Sequence, residues 1–101
     1  MELVNSERQI VPGISVSSAG QATIDASLNE VLFDLAVALE EPTNLPVDIE
    51  HVVAAIVLAA RNNEIDAHRE LLASDPALIS VLAVRVKSVF AVYGGQVGSD
   101  E

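Results

Sequence analysis

The chain has 101 residues, enough for one domain with one core and too few for two. Half of the residues are hydrophobic but only 3% are aromatic, so the core has to be aliphatic, and a wholly disordered chain is excluded. Fifteen acidic side chains against five basic ones give a net charge of −10, which repels nucleic-acid backbones and anionic membranes and favours cationic protein partners.

The first segment, residues 1–24, reads as a flexible arm. MELVNSERQIVPG has no basic start followed by an apolar run, so no signal peptide is expected. Pro12-Gly13 favours a tight turn, and Ile10-Val11 could pair with Ile14-Ser15-Val16 as a short hairpin. A lone hairpin is marginal in water, so the arm is expected to move freely, and its removal to leave the melting temperature nearly unchanged.

From Asp25 the period becomes helical. Leu28, Val31, Leu32, Leu35 and Leu39 recur at three- and four-residue steps, with Asp25 or Ser27 as the cap, and Pro42 is expected to end the helix. A second helix spans about Asp48 to Asn62. Its main stripe is Ile49, Val52, Val53, Ile56 and Ala60, while Ala54, Ala55 and Leu58 make the other side apolar too. A helix apolar nearly all round is a central one. A short third helix is expected around Ile65 to Ala73. A fourth runs from Pro76 to Tyr93, with Asp75 as its cap and Leu78, Leu82, Val86 and Val89 in its stripe. Val84-Arg85-Val86-Lys87 alternates like a strand, but the longer helical stripe outweighs it. Residues 95–101 read as a disordered tail. The expected fold is thus all-α, an irregular three- or four-helix bundle over residues 25–94 behind an N-terminal arm.

Chemistry is sparsely signalled. Cysteine is absent, which removes disulfides, thiolate metal sites and thiol catalysis and fits a reducing cytoplasm. The longest apolar run, Val52 to Ala60, is far shorter than the about 20 residues that span a bilayer. Asp48 with His51, and Glu64 with His68, have the spacing to offer two metal ligands from one helix face. A surface helix pair accounts for them more simply, so a metal-binding helical protein using His51 or His68 is only the weaker alternative and neither a metal nor any other cofactor is expected. No Gly-x-Ser-x-Gly elbow links the serines to the histidines, and Gly94-Gly95 is followed by neither helix nor Lys-Ser/Thr, so catalysis is not expected either.

Asp25-Ala26-Ser27-Leu28, followed by Glu30-Val31 and by Ala38-Leu39-Glu40-Glu41, resembles the acyl carrier protein signature. That family is a small acidic four-helix bundle with a serine at a helix start that carries phosphopantetheine. The resemblance implies Ser27 as the attachment site, with Leu45-Pro46 where the family's next loop carries Ile-Pro.

The remaining signal is surplus apolar surface, which marks interfaces when contiguous. Phe33 and Val37 lie off the stripe of the first helix beside Glu30 and Asp34, and these four form the expected site for a protein partner with a basic surface. Like charges would repel a second copy there. Self-association as a homodimer is therefore expected at Val81, Val84 and Val92, near Arg85. The function expected is that of a small acidic adaptor or regulator without chemistry of its own.

Overall fold

Pro12 and Gly13 reverse the chain, and the reversal is the start of a sheet. The computed structural model describes residues 8–17, 21–66 and 68–93. In it strands β1 (Arg8–Val11), β2 (Ile14–Val16) and β3 (Ala22–Ile24) pair antiparallel in the order β1-β2-β3. Gly13 has φ +92°, which fits the second central position of a type II turn behind Pro12. A β-carbon at Gly13 would stand 2.5 Å from Leu28 Cδ1, so any larger residue there would also have to displace the Leu28 side chain. The register shifts between Gln9 and Val11, a bulge that lets the consecutive residues Ile10 and Val11 both enter the core.

A single 3-10 turn, Ala26–Leu28, capped by the Asp25 carboxylate on the Ser27 N–H, leads into helix α1 (Asn29–Thr43). Pro42 lies within its last turn rather than beyond it. The Thr43 hydroxyl donates to the Leu39 carbonyl at 2.6 Å, and Asn44, left-handed at φ 56°, closes the helix. Helix α2 (Ile49–Arg61) and helix α3 (Pro76–Tyr93) complete the fold. Asp75 caps α3, as expected, through its Oδ1 on the N–H groups of Ala77 and Leu78. Residues 81–92 are helical.

The architecture is therefore α+β, three helices against a three-stranded antiparallel sheet, and not the all-α bundle. Two expectations fall. The hairpin is docked: Val11 and Ile14 are completely buried with Leu35, Val52 and Ile56 in one core cluster, and β1 packs against α2. Among the described residues of Ile65–Ala73 the expected third helix does not form. Asn63 turns left-handed at φ 60°, and the Asp66 carboxylate takes the His68 N–H at 2.9 Å, so the segment closes local turns instead. It is still anchored, since Ile65 and Leu71 are buried. The tail expected at 95–101 lies outside the described residues.

Two ion pairs fasten this loop. Arg85 on α3 grips Glu64 with both nitrogens of its fork, Nε donating to Oε1 at 2.8 Å, and Arg69 reaches Asp75 at 2.8 Å. Arg85 holds the Glu64 carboxyl below its ordinary range, and Arg69 does the same to Asp75. A carboxylate lowered in the folded state stabilises the fold above its ordinary range, and that contribution is lost as pH falls through the lowered value.

Three outcomes test this frame. Ile14→Ala should lower stability by about 2–4 kcal/mol in urea titrations, the cost of a cavity in a core rather than of a change in a free arm. Ile56→Asp, placing an unpaired charge at a fully buried position of α2, should leave no cooperative unfolding transition by circular dichroism. Glu64→Gln should be less stable than the wild type at neutral pH, and the two should converge as pH is lowered through the Glu64 titration.

Candidate functional site

Helix α2 begins with an unusual cap that organises one end of the molecule. His51, three residues after Asp48, accepts the Asp48 N–H on its Nδ1 at 2.9 Å, the place a Glu or Gln side chain holds in a capping box. The accepting Nδ1 carries no proton, so the neutral ring has its proton on Nε2. The ring is buried and stacks on Phe90 of α3, with centroids 4.2 Å apart. His51 thus joins α2 to α3 and is turned away from the role of a surface ligand. Its expected counterpart, the pair Glu64 and His68, is not on one helix face: Glu64 is held by Arg85, and His68 lies exposed in the loop. Among the described residues no three His, Asp or Glu side chains converge as a metal site.

On α1 the side chains opposite Leu32, Leu35 and Leu39 face water. Phe33 is 59% and Val37 55% exposed, and with Glu30 and Asp34 they share one face by their spacing of three, four and seven residues. Phe33 and Val37 border a depression of about 520 Å³ between α1 and the start of α2, floored by Ala36 and Val47 and edged by Glu40 and Glu50. A neighbouring hollow runs from Val37 past Glu40 and Glu41 to Leu45 and Pro46. Among the described residues no base pairs with Glu30, Asp34, Glu40, Glu41 or Glu50. The result is an apolar strip inside an uncompensated acidic rim.

A second surface lies on the other side of α2. A groove of about 760 Å³ has Val53, Ala54, Val57 and Leu58 of α2 along it, with Ile24 of β3 and Val92 of α3 at its borders. Glu50 stands at one end and Arg61 at the other, and Ile49 and Glu50 line both this groove and the α1 depression. Of the valines expected to self-associate, Val92 lines the groove and is 74% exposed. Val84 is 61% exposed but lies outside it, and Val81 is half-buried against the core. The groove with Arg61 is what the sequence reading left out, although the apolar circumference of the second helix was its signal.

Ser27 is exposed in the 3-10 turn, its N–H taken by Asp25. Three strands occupy the chain before it, where the acyl carrier resemblance implies a helix, and Ala26 stands where that signature has aspartate. No described helix is long and apolar enough to cross a membrane. Comparison of the chain with protein-family models, with curated proteins and with solved structures gives no match, so the surfaces themselves carry the functional argument.

Proposed function

We propose that the protein is an interaction module that binds a cationic amphipathic segment of a partner protein along α1, with no catalytic activity of its own. One observation carries the reading: Phe33 and Val37, both more than half exposed, lie within a rim of carboxylates that no base in the described chain neutralises. Apolar side chains of a partner helix would fill the depression, and its Lys or Arg residues would meet Glu30, Asp34, Glu40 and Glu50. Phe33 is the anchor, since a large aromatic side chain entering a partner contributes most where water is excluded around it. The net charge of −10 adds attraction at long range and disfavours nucleic acid and anionic membrane as alternatives. A cysteine-free chain suits the reducing cytoplasm, the compartment we assign to it.

A synthetic basic amphipathic helix titrated into the labelled protein provides the test. Amide shifts should gather around Phe33, Val37 and the start of α2, and added salt should weaken the complex. Phe33→Ala combined with Asp34→Asn should weaken binding at least about tenfold. Shifts scattered over the molecule, or equal binding by the double variant, would leave the acidic face a solvated surface.

A further inference from the structure

The groove along the outer side of α2 is a different surface, and its charge pattern identifies its occupant. Glu50, Ala54, Val57 and Arg61 follow one another at steps of four, three and four residues, so they form a single line along the helix. Its ends are opposite charges about 16 Å apart, with only apolar side chains between them. Val53 and Leu58 flank the line at equal distances from its midpoint, and Val53, Ala54, Val57 and Leu58 are all half-buried, with nothing in the described chain laid over them.

We propose that a second copy of this chain covers the groove, across a twofold axis passing between Ala54 and Val57 perpendicular to α2. That axis sets Glu50 against the partner's Arg61 and Arg61 against the partner's Glu50. It also brings Val53 toward the partner's Val57 and Leu58 toward the partner's Ala54. Val92, which stands at the Glu50 end, is carried over the Leu58 end of the other copy, and its exposed side chain is covered.

The charge distribution selects this arrangement among those open to a homodimer. With the twofold axis parallel to α2, Glu50 would meet its own copy, and so would Arg61. On the α1 face every charged contact would join acid to acid. Bases are scarce in this chain, and two of the five, Arg69 and Arg85, are already held by Asp75 and Glu64. Arg61 has no carboxylate partner among the described residues. Arg85 also lines the groove on its α3 wall, where Glu64 already neutralises it. Among the described residues the groove therefore has Arg61 as its unanswered base and Glu50 as the acid that answers it, on the same line and at the opposite end. Isologous pairing needs that self-complementarity, and two molecules of net charge −10 need an approach on which their charges balance.

A second account of Glu50 and Arg61 is internal: an acid in the first turn and a base in the last complement the dipole of their own helix. Charge reversal separates the two. Sedimentation equilibrium of the purified full chain should give a dimer at micromolar concentration. Glu50→Arg alone and Arg61→Glu alone should each raise the dissociation constant about tenfold or more, because each creates two like-charged contacts across the axis. The double variant Glu50→Arg with Arg61→Glu should return close to the wild-type constant, although it is the worst of the four for the helix dipole. A wild type that stays monomeric overturns the proposal and gives the groove to another occupant. So does a dimer indifferent to the single changes, or one that the double change does not restore. The pure protein is measured without peptide, so failure here leaves the α1 reading standing.

Discussion

Helix α2 has more apolar surface than two neighbouring helices can cover, and the rest of the fold answers that constraint. Val52, Ala55, Ile56 and Ala59 are buried to completion, and Val53, Val57 and Ala60 pack partly against the same core. Helices α1 and α3 close two sides of it, and β1 reaches a third. With 3% aromatic residues, closure depends on many small aliphatic contacts rather than on a few large rings. A short sheet laid over a helix supplies such contacts from Ile10, Val11 and Ile14 without adding a fourth helix. The hairpin, marginal alone, is stabilised by the surface it covers.

That dependence explains what could and could not be read in the sequence. α2 and α3 were legible because their apolar periods run over three turns or more, and the Asp75-Pro76 start of α3 is a local signal with a local cause. The sheet was half legible. Pro12-Gly13 marked the turn, but strands of three and four residues carry too short an alternation to show which face is buried, and the bulge at Ile10 breaks even that alternation. Whether the hairpin docks is decided by α2, about 40 residues away in the chain, and no local pattern contains that contact. The error at Ile65–Ala73 has the opposite origin. Apolar residues at 65, 71 and 72 imitate a helical stripe, yet a segment this short does not repay its nucleation while Asp66 and Asn63 offer the backbone other bonds.

The candidate surfaces were legible in the same uneven way. Phe33 and Val37 off the stripe of α1 could be recognised as exposed from spacing alone. His51 could not be placed from its distance to Asp48, because the spacing that suits two metal ligands on a helix also suits a reciprocal cap. Only burial and the ring of Phe90 separate the two. Arg61 was hidden differently. In the sequence it is the end of a helix, and it becomes the end of a groove once α3 and β3 stand on either side.

Charge segregation then gives the two faces of α2 different electrostatic characters. Its start contributes Glu50 and Ile49 to both the α1 depression and the groove, while its end contributes Arg61 to the groove alone. On the α1 side carboxylates accumulate without a base, a surface that repels itself and attracts cations. On the groove side Glu50 and Arg61 balance over an apolar line while Arg85 is held by Glu64, the pattern on which the proposed pairing of two copies rests. On the two proposed interactions, excess acid would act twice: it would keep a chain that is half hydrophobic from associating at random, and it would leave unhindered the face where its sign is locally cancelled.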